Sequence, residues 1–190
     1  MKKEIEKRIF SSLILIPLSF FFIIKGSFFF ILFLLICFFV TSFEWYIMSK
    51  KKNYHFIGYI FLIFSFYSAY NLRTEGDLKI FLLVVITCVA TDIGGYIFGN
   101  IFKGPKLTKI SPNKTYAGMF GGFFLAIIFT NIFYNNLNIL NLGDNVFISR
   151  EILIIVLLLS TVSQIGDLII SFFKRKAKVK DTGKILPGHG

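Results

Sequence analysis

Residues 160–190 read STVSQIGDLIISFFKRKAKVKDTGKILPGHG and hold most of the groups in this chain able to do chemistry. An apolar helical pattern carries Ser163, Gln164, Asp167 and Ser171 and ends in Lys174, Arg175, Lys176, Lys178 and Lys180. Ser163, Asp167, Ser171 and Lys174 stand at i, i+4, i+8 and i+11, which places them on one helix face. A polar stripe in an apolar helix, next to cations able to hold phosphate, points to chemistry on a charged lipid head group. Asp181 and the turn-rich Pro187-Gly188-His189-Gly190 follow, with His189 as a ligand or base or as an incidental tail residue.

Two further acids, Glu44 and Asp92, also fall inside apolar segments. A carboxylate at mid-membrane costs roughly 2.5–3.5 kcal/mol on insertion scales, so a chain seldom keeps three without a use. Glu44, Asp92 and Asp167 each precede a basic or glycine-rich boundary by six or seven residues. At 1.5 Å per residue that places all three within about 10 Å of the same membrane surface. Carboxylates gathered beside basic loops suit a divalent cation, Mg2+ above all, and a polyphosphate, because Mg2+ takes oxygen ligands and keeps substrate phosphates in its shell. The plainer role for such acids, pairing with neighbouring lysines to fix topology, weighs more for Glu44 than for Asp92 and Asp167 together.

Asp92 opens a second cluster, ATDIGGYIFGNIFKGPKLTKISPNKTYAGMFGG, residues 90–122. Gly94, Gly95 and Gly99 allow helices to approach closely. Gly104, Pro105, Ser111 and Pro112 alternate with Lys103, Lys106, Lys109 and Lys114, so residues 100–115 are expected to expose backbone N–H groups and cations to a triphosphate. The helix expected after Ser111-Pro112 adds an N-terminus favourable to anions. The segment is not a P-loop: Pro105 displaces Lys106 from the required place and no strand precedes it.

The elements that must position these groups follow from composition. Hydrophobic residues make up 55% of the 190 and mean hydropathy is +0.74, which excludes an ordinary soluble domain. With about 20 apolar residues needed per span, the expected fold is all-α: a polytopic transmembrane helix bundle forming one integral membrane domain, 1–190. Six spans are expected, over 9–25, 27–49, 55–72, 79–99, 116–135 and 151–173, with a basic tail at 174–190. The basic start followed by an apolar stretch resembles a signal peptide, but no small-residue cleavage site follows, so a retained anchor is expected. The net charge of +11 does not mark a nucleic-acid binder, because its cations sit in alternate loops. Lys25, Arg73, Lys79 and Arg150 fall on one side and the other seventeen of the 21 Lys and Arg on the opposite one, so both termini are expected to be cytoplasmic. Cys37 and Cys88 lie in different spans without metal-ligand spacing and read as packing residues.

The two clusters resemble the CDP-diglyceride synthetases, the bacterial phosphatidate cytidylyltransferases. Ser171, Lys174, Arg175, Lys180, Asp181, Pro187, Gly188, His189 and Gly190 match the first part of that family's signature, with Gly166-Asp167-Leu168 as its lead-in. Asp92, the run Gly94, Gly95, Tyr96 and Gly99, and Ser111-Pro112-Asn113-Lys114-Thr115 match the upstream motif. The resemblance is strong over residues 80–190 and topological before that. Ala117 stands where the family has an acidic residue. The chain ends at Gly190 before the family's second glycine and its Asp-Arg-x-Asp element, so a family member lacking its last segment, nearly inactive alone, is expected.

The resemblance implies transfer of CMP from CTP to phosphatidate, giving CDP-diacylglycerol and pyrophosphate, at the cytoplasmic face of a bacterial inner membrane. It implies Asp167, Asp181, Lys174 and Arg175 as catalytic groups, and Ser111, Lys114, Thr115, Ser171, Lys180 and His189 as binders of substrate phosphate. Asp92, Asp167 and Asp181 would hold Mg2+, the implied cofactor. The implied partners are CTP, phosphatidate and the lipid bilayer, with no nucleic acid; self-association into a homo-oligomer stays open. Two other classes compete: a non-catalytic remnant of the same family, and an ion-coupled transporter, whose coupling acids would sit nearer the membrane midplane.

Overall fold

The computed structural model describes residues 2–50, 52–139, 149–179 and 182, with side chains described outside 2–10 and 136–139. Among these residues six helices follow in chain order: α1 (Lys2–Lys25), α2 (Ser27–Ser49), α3 (His55–Thr74), α4 (Leu78–Phe102), α5 (Tyr116–Ile139) and α6 (Arg150–Lys176). Among the described residues no strand forms, only an isolated antiparallel bridge between Lys106 and Thr115. Each of the six apolar segments is therefore helical, as an all-α chain requires.

Among the described residues four helical stretches are long and apolar enough to cross a membrane: Ser27–Ser49, Leu78–Phe102, Tyr116–Asn135 and Arg150–Lys176. Ser11–Lys25 is a shorter apolar helix. The six-span expectation thus exceeds what length and hydropathy support. Helix α3 is diluted by its serines, tyrosines, Asn71 and Arg73. Large apolar side chains cover the outside of every helix, from Leu13 and Phe28 to Phe120 and Val162. Such a surface calls for lipid rather than water.

Helix limits differ from the expected ones for local reasons. Helix α4 runs on to Phe102 and stops where Lys103 (φ 50) and Gly104 (φ 82) turn left-handed. Helix α6 extends through Lys174, Arg175 and Lys176, whose charges favour a helix C-terminus.

The chain divides into two compact units. The first comprises Met1–Leu78 with Lys174–Gly190, the second Lys79–Phe173. In the first, α1 and α2 meet at Gly26 (φ 65), where the Arg73 guanidinium donates from Nε to the Ile23 carbonyl at 2.9 Å. A cation thereby satisfies a carbonyl left open at the end of α1. Gly58 lets the Trp45 ring of α2 lie directly on α3. In the second unit, α4 and α5 approach until a Cβ on Gly94 would collide with the Gly121 carbonyl oxygen, and one on Gly118 would stand 2.7 Å from that of Gly95. Only glycine permits backbones to pass so closely.

Candidate functional site

The second unit contains a cavity of about 290 Å³. Helix α4 contributes Thr91, Asp92, Gly95 and Tyr96. The connection after α4 contributes Leu107, Ser111, Asn113, Lys114 and Thr115. Gly118 and Met119 come from α5, and Gln164 and Asp167 from α6. The expected loop 100–115 is built by its own hydrogen bonds. Leu107 N–H donates to the Lys114 carbonyl at 2.8 Å and Tyr116 N–H to the Pro105 carbonyl at 3.2 Å. Inside that narrow turn, Lys114 N–H reaches the Ser111 carbonyl at 3.0 Å, and Ser111 N–H reaches Thr108 Oγ1 at 3.2 Å. Thr115 then caps α5: its Oγ1 accepts from Gly118 N–H at 3.1 Å. The cap holds the loop to the helix start, and it brings Ser111, Lys114 and Thr115 to one wall of the cavity.

The same cavity is lined by two carboxylates, Asp92 and Asp167. Lys114 Nζ donates to Asp167 Oδ2 at 2.8 Å, a charge-assisted contact between side chains 29% and 56% exposed. At that exposure the pair is worth about 0–1 kcal/mol, little enough for either partner to exchange for a ligand. Asp92 is close enough to interact electrostatically with both Asp167 and Lys114. Two acids and a cation around a small cavity suit a ligand that itself carries both signs, such as a cation-bound phosphate.

Several expected residues stand elsewhere. Ser171 and Lys174 follow Asp167 on α6 without lining the cavity, and Lys174 and Arg175 fall in the first unit. Glu44 also belongs to the first unit. Lys180, Asp181 and His189 lie outside the described residues. Among the described residues no three His, Cys, Asp or Glu side chains gather as a metal cage. The sequence points to Gln164 and Asn113 only as members of a polar stripe and a motif, with no role of their own, and does not single out Thr91. Gln164 carried a signal, since it stands three residues before Asp167 and hence on a neighbouring strip of the same helix.

Comparisons with known proteins identify the family. The model of the cytidylyltransferase family matches residues 57–190, which include the whole cavity. A Staphylococcus epidermidis protein named phosphatidate cytidylyltransferase is 36% identical over 153 residues, covering 76% of this chain and 56% of its own length. One from Staphylococcus aureus is 39% identical over 137 residues, 70% of this chain and 48% of its own. A third, from Staphylococcus haemolyticus, is 35% identical over 155 residues. The chain spans about half the length of the curated relatives it matches. With the family model matched over more than half of its residues, the chain belongs to the cytidylyltransferase family.

Proposed function

We propose that this chain carries the nucleotide-phosphate site of a phosphatidate cytidylyltransferase, which transfers CMP from CTP to phosphatidate and releases pyrophosphate. The observation that carries the reading is the meeting of Asp92, Asp167, Lys114, Ser111 and Thr115 around one cavity inside the region matched by the family model.

The chemistry asks little covalent work of a protein. A phosphatidate oxygen attacks the α-phosphorus of CTP in line, so positioning and charge neutralisation dominate. Lys114 supplies one positive charge from the loop wall, and releasing Asp167 frees its ammonium for a phosphate oxygen. Ser111 and Thr115 add two hydroxyl side chains to the lining that Lys114 shares. Thr115 Oγ1 already accepts the Gly118 N–H, so its own proton is available to a phosphate oxygen. Asp92 and Asp167 would hold Mg2+. Two carboxylates fit that ion, which is commonly bound by one or two carboxylates together with substrate phosphates and waters. When bound, it supplies charge neutralisation of the phosphates and the leaving pyrophosphate. Lys174, Arg175, Ser171 and Lys180 are assigned here to the lipid phosphate, Asp181 to a further metal ligand, and His189 to phosphate binding, on the family likeness alone.

The same reading places the chain in a bacterial inner membrane with the cavity facing the cytoplasm. Six spans and two cytoplasmic termini follow from the charge distribution. Reporters fused after Lys52 and after Gly76 should then fall on opposite sides, and a shared side would overturn the orientation.

The direct test is transfer. Membranes containing the chain receive labelled CTP and phosphatidate, and purified protein is tested for CTP binding. Label appearing in CDP-diacylglycerol, or CTP bound in preference to ATP and lost in Asp167→Asn, supports the proposal. Neither product nor CTP binding would sink it.

A further inference from the structure

Beneath the cavity, α4, α5 and α6 are joined by a chain of hydrogen bonds that no phosphate chemistry uses. Gln164 Nε2 donates to the Met119 carbonyl at 3.3 Å and stands 3.5 Å from Ser160 Oγ. Ser160 Oγ is 2.9 Å from Thr91 Oγ1, and Thr91 Oγ1 is 2.7 Å from the Thr87 carbonyl oxygen. Thr91 shares its one hydroxyl proton between the Thr87 carbonyl and Ser160 Oγ, and Ser160 Oγ also accepts from Gln164 Nε2. The network therefore ties α6 to α4 and, through Met119, to α5. Ser160 is 0% and Thr91 1% exposed.

The network touches each helix within a turn of a cavity group. Thr91 adjoins Asp92, Gln164 precedes Asp167 by three residues, and Met119 follows Thr115 by four. Gly122 presses on the same junction: a Cβ there would stand 3.0 Å from the Thr91 carbonyl oxygen and 3.1 Å from Gln164 Nε2. A helix that slid or rotated would leave the buried Thr91 and Ser160 hydroxyls without partners.

We infer that Thr91, Ser160 and Gln164 are positioning residues that set the separation of the Asp92 and Asp167 carboxylates, an inference that rests on the proposed cation-phosphate reading of the cavity. Ser160 is the cleanest probe, because it is sealed from the cavity and cannot touch a ligand. A second buried pair, Thr87 and Thr130 at 3.1 Å, supplies the control. It ties α4 to α5 without involving a cavity residue, so its loss tests general stability alone.

The experiment titrates Mn2+ alone into the purified chain and reads bound ion by electron paramagnetic resonance, beside a melting curve for each variant. Ser160→Ala and the near-isosteric Thr91→Val should weaken Mn2+ binding by about tenfold, since small misplacements of ligating groups carry large penalties. Thr91→Ser keeps the hydroxyl and should restore affinity to within about twofold. Thr130→Val should lower the melting temperature as much as Ser160→Ala while leaving Mn2+ binding unchanged. Wild-type affinity in both Ser160→Ala and Thr91→Val, with binding lost in Asp167→Asn, would overturn the positioning role and spare the cavity reading. Equal weakening by Thr130→Val would also overturn it. Wild-type Mn2+ binding in Asp167→Asn would overturn both.

Discussion

The two compact units are held together by different chemistry. In the first, rings meet rings: Phe22 stacks on Phe33 at 5.6 Å, Phe38 meets Phe66 edge-on at 5.4 Å, and Trp45 meets Tyr54 at 6.0 Å. In the second, glycines meet carbonyls and hydroxyls meet hydroxyls, at Gly94 and Gly121, Thr87 and Thr130, Thr91 and Ser160. Ring contacts keep much of their attraction over a range of centroid distances. A hydrogen bond weakens steeply with misalignment, and a glycine contact leaves no slack. A site that must hold charged groups within about 0.5 Å needs the second kind of packing. The cavity lies in the unit that has it. The division is not absolute, since Gly58 against Trp45 is a close contact in the first unit.

The strongest way to break the comparison is to remove one charge from each unit. Asp167→Asn should cut CMP transfer by about 10²-fold or more, as loss of a charge-stabilising group does. Glu44→Gln, which alters an acid of the same type in the first unit, should leave transfer within about threefold if only the second unit holds the nucleotide site. Equal losses in both, read as labelled CDP-diacylglycerol per folded protein, would dissolve the contrast.

Packing gives the next largest effect. Gly94→Ala places a Cβ against the Gly121 carbonyl, which belongs to backbone and cannot swing away. A loss of about 1–3 kcal/mol is expected. Phe66→Leu in the first unit removes one edge-on ring contact and should cost no more than about 1.5 kcal/mol. Chemical or thermal unfolding in detergent, read by tryptophan emission from Trp45 and by helix signal, orders the two.

Lys114→Met then separates the lysine's two contacts. Removing the ammonium frees the Asp167 carboxylate, so Mn2+ affinity without nucleotide should rise by about threefold, while CTP affinity should fall by about tenfold through loss of one phosphate contact. Both affinities falling together would mean that Lys114 orders the cavity rather than competing for Asp167.

The sequence made some of this legible and hid the rest. Hydropathy marks all six helices because each buries or faces apolar matter over most of its length. It marks α3 more weakly as a span than the other long helices, because Ser, Tyr and Asn fit a helix more readily than a bilayer. The acids show the deeper limit. Glu44, Asp92 and Asp167 stand at matching distances from their boundaries, and that distance is one coordinate only. The direction in which a side chain leaves its helix, and which helix lies beside it, depend on packing. Those choices bring Asp92 and Asp167 to one cavity and leave Glu44 in the other unit. The face through Ser163, Asp167, Ser171 and Lys174 was similarly half informative. The cavity takes Asp167 and Gln164 from it and its neighbouring strip, because α5 offers the Met119 carbonyl on that side.

The smallest expected effect tests whether the first unit tolerates loss of one of its polar ties. Ser49 Oγ donates to the Trp45 carbonyl at 2.6 Å and stands 2.7 Å from His55 Nδ1. Its single proton is already used, so His55 carries its proton on Nδ1 and donates to Ser49. The Trp45 indole closes the loop by donating to the His55 carbonyl at 2.9 Å. Trp45→Phe keeps a ring over Gly58 but removes that donor, leaving one carbonyl at the start of α3 without its indole partner. The cost should be about 1 kcal/mol, the net worth of one hydrogen bond, seen as a modest drop in melting temperature. Transfer activity per folded protein and Mn2+ affinity should stay within about twofold of wild type, because no cavity group depends on this turn. A tenfold loss of Mn2+ binding in Trp45→Phe would show that the α2–α3 turn governs the carboxylates, and the contrast between a tolerant unit and an exacting one would fail.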